Sequence, residues 1–340
     1  MDNRFINILD KFSGMKVAVI GDMIADVFLY GKPYQLSREA PVVIVKHESE
    51  KVVPGGAANT VNNIYQMGAR VYPIGLVGND ANGNALRSYF DERRIDTSML
   101  RTVDGRNTIA KMRVMAGGCH TSKQQVVRVD YDPGTHFNDS VEDQIIADLN
   151  AVADQVDGII VSDYGYDLFS PAVIKAILAI AKKKCVVVDS HHKLPMFKGV
   201  AVITPNEDEA LSTLRYDHGE SPPIEKVGRK LYELVKPTVG MLITRGNEGM
   251  MVCQNNKVPL HIPIVGSDDV TDVTGAGDTV VSILTLALLA GADLSTASRI
   301  ANYAAGIVVM KSGTATTSKD ELSDFIKRCL DEKTTEPVRA

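Results

Sequence analysis

The stretch Lys16-Val-Ala-Val-Ile-Gly21-Asp22 sets the reading of the whole chain. It is a short apolar run, rich in β-branched residues, that stops at a glycine and then an acid. Such a run reads as a strand buried on both faces. Similar runs recur at 70–77, 158–162, 185–189, 200–204 and 241–244. Between them lie helical patterns at 57–67, 81–93, 141–156, 171–183 and 224–234. Strands alternating with helices predict an α/β fold around a mostly parallel sheet. Several strands close on a polar residue, as in Gly21-Asp22 and Val188-Asp189. Ligands of such sheets bind beyond the carboxyl ends of the strands. The first strand runs into Gly21-Asp22-Met23, so the Gly-x-Gly-x-x-Gly fingerprint of a dinucleotide fold is missing. No Gly-x₄-Gly-Lys-[Ser/Thr] phosphate loop occurs either.

Two segments break the alternation. Residues 28–48 and 107–130 carry β-rich patterns without a helix, with Gly117-Gly118 as a turn in the second. They predict antiparallel strands outside the main sheet, a small lid split between about 28–50 and 106–130. The expected organisation is one domain over 1–330 with a frayed polar tail at 331–340.

Bulk properties narrow the function. A net charge of −5 offers no basic face for a nucleic acid. The most apolar stretch, 280–290, is shorter than the ~18–20 residues needed to span a bilayer. The N-terminus lacks the pattern of a signal peptide. Cys119, Cys185, Cys253 and Cys329 form no Cys-x-x-Cys pair and read as isolated thiols. These features predict a cytoplasmic protein that binds neither nucleic acid nor membrane.

The segment with most chemistry is Asp272-Val-Thr-Gly-Ala-Gly-Asp278-Thr279, followed by a helical pattern. Gly275, Ala276 and Gly277 are small enough for backbone amides to approach an anion, and a helix N-terminus adds positive potential. That combination suits the charge on a transferring phosphoryl group. Asp278 would then stand within reach of an attacking hydroxyl, as a general base. Taken locally, the same residues read equally well as a Gly-rich turn with an acidic cap.

The ordered motifs weigh the choice. Asp272 to Asp278 closely resembles the second signature of the ribokinase-like (PfkB) carbohydrate kinases. Pro54-Gly55-Gly56-Ala57-Ala58-Asn59, with Met67-Gly68-Ala69 after a helix, resembles the first. Thr204-Pro-Asn206-Glu-Asp-Glu209 is similar to the family's Asn-x-x-Glu magnesium motif, and Thr244-Arg245-Gly246-Asn-Glu-Gly249 to its nucleotide loop. Residues 302–306 match the helix beside the adenine pocket. The resemblance implies a three-layer ribokinase-like fold and ATP-dependent phosphorylation of a sugar.

It also implies roles. Gly55, Gly56, Asn59 and Asp22 would hold the sugar, with Asp26 as a second acidic candidate. Asn206 and Glu209 would contact Mg²⁺ through water, since that ion keeps much of its hydration shell. Thr244, Arg245, Gly246, Gly249 and Asn302 would line the nucleotide site, with Arg245 reaching a phosphate. Asp272 and Thr274 would contribute to a monovalent-cation site for K⁺. Each position also has a plain structural reading, as a turn, a cap or a solvated charge.

The lid narrows the substrate. Ser37-Arg38-Glu39-Ala40-Pro41-Val42 and Thr108-Ile-Ala-Lys111-Met-Arg113 resemble segments of the heptose-phosphate kinases of ADP-heptose synthesis. Gln124-Gln125-Val-Val-Arg128 and Ser162-Asp163-Tyr164-Gly165 match them too. Arg38, Lys111, Arg113 and Arg128 would supply cations to a substrate phosphate. Two departures stand out. Tyr166-Asp167 replaces Lys-Gly after Asp-Tyr-Gly, and Asp189-Ser-His-His-Lys193 replaces Asp-Pro-Lys. Lys193 offers a substitute for the expected lysine, and His191 and His192 read as exposed and inert. The expected enzyme is a heptose 7-phosphate kinase that pairs as a homodimer through its lid. The nucleotidyltransferase domain of bifunctional relatives is not expected, for no His-x-Gly-His motif occurs. The rivals are a related kinase acting on a simple sugar, fructose phosphate or nucleoside, and a non-catalytic sugar- or nucleotide-binding regulator.

Overall fold

A computed structural model describes residues 4–117, 123–134, 137–217, 222–266 and 271–335. Gly118 of the expected turn and Cys119 lie outside the described residues.

After a short helix α1 (Arg4–Asp10), β1 (Lys16–Gly21) enters the centre of the molecule, and β2 (Met23–Leu36) and β3 (Val43–Gly56) form a long hairpin outside it. The chain returns through α2 (Ala57–Gln66), β4 (Arg70–Gly78), α3 (Ala81–Asp91) and β5 (Leu100–Val103). It leaves again as β6 (Ala110–Ala116) and β7 (Gln124–Tyr131). Then follow α4 (Asp139–Ala153), β8 (Gly158–Asp163), α5 (Pro171–Ala181), β9 (Cys185–Ser190), β10 (Val202–Ile203), α6 (Glu207–Thr213) and α7 (Ile224–Val235). The last elements are β11 (Gly240–Thr244), β12 (Met250–Cys253), β13 (Leu260–Ile262), α8 (Ala276–Leu289), α9 (Leu294–Val308) and α10 (Lys319–Thr335).

The main sheet has nine strands in the order β13-β12-β11-β10-β9-β8-β1-β4-β5. It is parallel from β5 to β11, and β12 and β13 add an antiparallel edge. β1 explains the layering. Val17 and Val19 face one apolar core, while Ala18 and Ile20 face the other. Successive side chains of a strand point to opposite faces, so a wholly apolar strand needs helices on both sides. The first core takes in α2, α8 and α9, and the second α4, α5 and α7. α8 is buried from Asp278 to Ala287, which accounts for its largely apolar sequence, and its Ser282 and Thr285 hydroxyls bond to backbone carbonyls one turn back. No helix among the described residues is long and apolar enough to cross a membrane.

The lid is a four-stranded sheet in the order β3-β2-β6-β7. Its strands extend beyond the segments read from sequence: β2 begins at Met23 and β3 runs to Gly56. The hairpins β2–β3 and β6–β7 are antiparallel as expected, but β2 and β6 pair in parallel. The reason is topological. Each continues outward from a strand of the same parallel sheet, β1 or β5, and so both leave in one direction. The C-terminal reading also changes, because α10 continues to Thr335 where a frayed tail was expected from 331. Residues 336–340 lie outside the described residues.

Candidate active site

Asp22 follows β1, Asp163 ends β8, Asp189 lies near the end of β9, and Asn206 follows β10. The parallel sheet therefore delivers these polar groups to one edge. The N-terminus of α8 meets them there. Its first residue, Ala276, follows Gly275 in the left-handed region (φ 79°). A side chain at Gly275 would meet the Asn59 amide nitrogen at 2.6 Å, so the close approach requires glycine. Among the described residues, the amides of Gly277 and Asp278 donate to no protein acceptor. The space a Gly277 side chain would enter holds no atom within 4 Å. Two unsatisfied amides beside open space form an anion cradle in the first turn of a helix.

Asp278 is only 2% exposed. Its Oδ2 accepts a hydrogen bond from Asn59 Nδ2 at 2.9 Å. Its Oδ1 accepts from the Tyr164 hydroxyl at 2.8 Å and from Thr60 Oγ1 at 3.3 Å. Asn59 is held in turn: Asn63 Nδ2 donates to its carbonyl at 3.0 Å, and Thr279 Oγ1 donates to Asn63 Oδ1 at 3.0 Å. Burial pushes the Asp278 carboxyl up to about 6, although the Asn59 and Tyr164 donors pull against it. A carboxylate poised there can take a proton near neutral pH.

Asp22 is buried and pushed up to about 7, by burial first and then by the charge of Asp163. Its Oδ2 accepts from the Tyr164 amide at 2.9 Å. Asp163 is braced by Ser190 Oγ at 2.6 Å and the Gly165 amide at 3.0 Å. Gly55 lies against Asp26, and a side chain there would meet the Asp26 carboxyl carbon at 2.6 Å. Gly56 adopts φ 53° and turns the chain from β3 into α2, which brings Asn59 to Asp278.

The lid cations do not converge. Arg113 is 7% exposed and donates to Asp26 Oδ1 at 2.6 Å, while Thr314 Oγ1 donates to Asp26 Oδ2. That pair is buried structure. Arg128 is half exposed and pairs with Asp130 on its own strand at 2.8 Å. Arg38 is exposed in the turn between β2 and β3. Lys111 faces the network around Asp278, with its ammonium 4.9 Å from the centre of the Tyr164 ring. Burial lowers its pKa.

On the nucleotide side, Asn206 and Glu209 form a capping box for α6. The Asn206 amide donates to Glu209 Oε2 at 2.9 Å, and the Glu209 amide donates to Asn206 Oδ1 at 2.8 Å. Arg245 is held by two acids, Glu207 at 3.0 Å and Glu248 at 2.5 Å. Thr244 ends β11, and its amide donates to the Pro205 carbonyl at 3.0 Å. Gly246 (φ 52°) faces open space, whereas a side chain at Gly249 would strike the Ile262 carbonyl at 2.2 Å. Asn302 donates to the Pro263 carbonyl at 2.7 Å and so anchors the segment between β13 and α8. Asp272 accepts from the amides of Thr274 and Gly313, both at 2.9 Å. Partial burial opposes its ionisation, but those bonds prevail and lower its pKa.

Asp189 is pushed well up by burial and by Glu209 beside it, and burial raises Glu209 as well. Two acids whose ionised forms are disfavoured by burial fit a divalent cation that would supply the missing positive charge. Among the described residues no three His, Cys, Asp or Glu side chains converge for direct ligation. That donor set suits Mg²⁺, which reaches carboxylates largely through its own waters.

The loop departures have local causes. Asp167 takes the 2%-exposed Arg106 in a two-pronged pair at 2.6 and 3.1 Å. Lys193 donates to the carbonyls of Tyr166 and Phe169 at 3.3 and 3.2 Å, so it braces the loop. His191 is not exposed as expected. It is half-buried, its ring lies 4.6 Å from that of Tyr164, and its Nε2 is 3.5 Å from Glu209 Oε1. Reasoning from sequence missed Thr60, Tyr164 and Thr314. Tyr164 sat inside a quoted match, Thr60 follows a quoted motif, and Thr314 carried no signal at all.

Comparison with known proteins bears on the family and the fold. The model of the "pfkB family carbohydrate kinase" matches residues 15–321. "Bifunctional protein HldE" of Geobacter sulfurreducens is 35% identical over 326 residues, 95% of this chain and 65% of that protein. Its namesake from Caulobacter vibrioides is 33% identical over 95% of this chain and 66% of its own length. The chain thus spans about two thirds of the curated relatives it matches. Among solved structures, Arabidopsis thaliana ribokinase complexed with ribose and ATP superposes with a TM-score of 0.71 at 17% identity, covering 92% of this chain and 99% of that one. Escherichia coli phosphofructokinase-2 in complex with substrates and products gives 0.73 at 17% identity over the same shares. A family match that runs from β1 to α10 makes this chain a member of the pfkB family of carbohydrate kinases.

Proposed function

We propose that this sugar kinase transfers the γ-phosphoryl group of ATP to a hydroxyl of a heptose 7-phosphate, with Asp278 as the general base. The observation that carries the reaction is the buried Asp278 carboxylate, oriented by Asn59, Thr60 and Tyr164 in the same helical turn as two amides that donate to no acceptor among the described residues. Asp278 accepts the proton of the attacking hydroxyl at a carboxylate oxygen. The Gly277 and Asp278 amides, with Gly275 and Ala276 forming the turn, hold the transferring group as charge grows on its oxygens. Asp22 and Asn59, beside the Gly55-Gly56 turn, orient the sugar. Mg²⁺, when bound near Asn206 and Glu209, supplies charge neutralisation on the phosphates. Thr244, Arg245, Gly246, Gly249 and Asn302 form the nucleotide side. A K⁺ ion beside Asp272 and Thr274 would strengthen the positive field at the cradle.

The substrate reading rests on the lid segments and on the HldE relatives at 33–35% identity. Lys111 lies over the Tyr164 ring of the base network, which suits it to meet a substrate phosphate. Arg38 and Arg128 would join it only as the lid closes, and Arg113 acts by holding Asp26. The lid leaves β3 and β7 as outer edges, and β7 exposes Val126, Val127 and Val129. Such edges favour pairing with a second copy, so a homodimer is part of the proposal. A panel of heptose 7-phosphate, fructose 6-phosphate, ribose and adenosine with coupled ADP detection tests the substrate. Preference for any acceptor other than the heptose phosphate rejects it. Light scattering at micromolar concentration tests the dimer.

A further inference from the structure

Tyr164 stands at a junction that the reaction scheme does not yet use. Its hydroxyl donates to Asp278 Oδ1 at 2.8 Å, and its own amide donates to Asp22 Oδ2 at 2.9 Å. One residue therefore grips both acids of the site. Its ring is flanked by Lys111 of the lid strand β6, 4.9 Å from the ring centre, and by His191, 4.6 Å away. His191 leads on to Glu209 at 3.5 Å. Through its hydroxyl, its amide and its ring, Tyr164 thus meets the base, the acceptor-side acid and the His191 loop together.

We infer that Tyr164 is a positioning residue for phosphoryl transfer, which aims the Asp278 carboxylate through its hydroxyl and couples that aim to the lid through Lys111. The inference rests on the kinase reading above. A hydroxyl donating to a carboxylate favours the ionised form, the form that acts as a base. The other charged or titratable groups facing this network are Asp26 and Asp189, each toward both Asp278 and Tyr164, and Lys111 and His191 toward Tyr164. None of them donates a hydrogen bond to Asp278 among the described residues. The Tyr164 hydroxyl is thus a separable contribution.

Tyr164→Phe removes one oxygen and keeps the ring between Lys111 and His191. Losing a hydrogen bond to a charged group predicts a kcat lower by roughly tenfold or more. KM for ATP and for the sugar phosphate should stay within about twofold, because the change acts through the base and not through binding. The acid limb of the kcat/KM profile should move up by about half to one pH unit. The Asp278 carboxyl midpoint, read by ¹³C NMR and assigned with Asp278→Asn, should move the same way without reference to turnover. A lower kcat with an unmoved limb and an unmoved NMR midpoint overturns the inference, since that is what lost packing alone produces. Unchanged kcat overturns it too. If the wild-type protein turns over none of the acceptors, the kinase reading fails and takes this inference with it, an outcome distinct from an active wild type with an indifferent variant.

Discussion

Asn59 and Asp278 lie 219 residues apart in sequence and are joined by a 2.9 Å hydrogen bond from amide to carboxylate, away from water. The bond links the two signature segments of the chain, one opening α2 and the other opening α8. It also makes the orientation of the base depend on the Gly55-Gly56 turn that delivers Asn59.

Asp278→Asn should leave ATP binding nearly intact and lower turnover by about 10²–10⁴-fold, the scale of a lost general base. The amide can still accept from Tyr164, so the fold should survive. Calorimetry with ATP and a coupled ADP assay separate the two effects. Near-normal turnover would reject the role.

The pH profile follows from the direction of the shift. Asp278 is active as a base only when ionised, and burial raises its carboxyl to about 6. The kcat/KM value should therefore rise with pH through about 6 and level off above it. An acid limb near 4, the ordinary carboxylate range, would contradict the buried geometry.

Stability should respond in the opposite sense. Asp22 is raised from the ordinary value of 3.8 to about 7, so the folded state binds more protons than the unfolded chain between those limits. Stability contributed by this group is greatest at low pH and is lost as pH rises through about 7. Asp22→Asn should raise Tm at pH 8 relative to wild type and do so much less at pH 5, while KM for the sugar increases. A Tm gain independent of pH would sink this account.

Two glycines in one turn should behave differently. Gly275→Ala meets a positive φ and the Asn59 amide at 2.6 Å, which predicts a loss of about 1–3 kcal/mol along with activity. Gly277→Ala points into open space and should change stability by no more than about 0.5 kcal/mol. Its methyl group enters the volume beside the free amides, so turnover should still fall. Melting curves and kcat on both variants make the comparison.

The lid arginines should also separate. Arg113→Met leaves Asp26 buried with Thr314 as its remaining side-chain donor and should cost about 3–5 kcal/mol. Arg128→Met breaks a half-exposed pair worth about 1 kcal/mol or less. Its effect should appear in KM for the sugar phosphate. A stable Arg113→Met protein with only a raised KM would return Arg113 to the substrate.

Short-range regularities in the chain were enough for much of this. The unbroken apolar run of β1 dictated helices on both faces of a parallel sheet, because alternate side chains of a strand need separate cores. The Asn-x-x-Glu spacing from Asn206 to Glu209 spans four residues and was legible as a motif, although the structure shows it closing a capping box. The order of the motifs placed Asp278 at a helix N-terminus. Only the tertiary structure decided which charges are available for chemistry. Arg113 resembled a phosphate ligand until Asp26, 87 positions away, was found to hold it, and Arg106 and Asp167 consume each other in the same way. Tyr164 and Thr60 became partners of the base through contacts more than 100 residues long. Periodicity reports which face of an element is buried, but a buried polar group is defined by its partner, and the partner is chosen by packing across the whole fold.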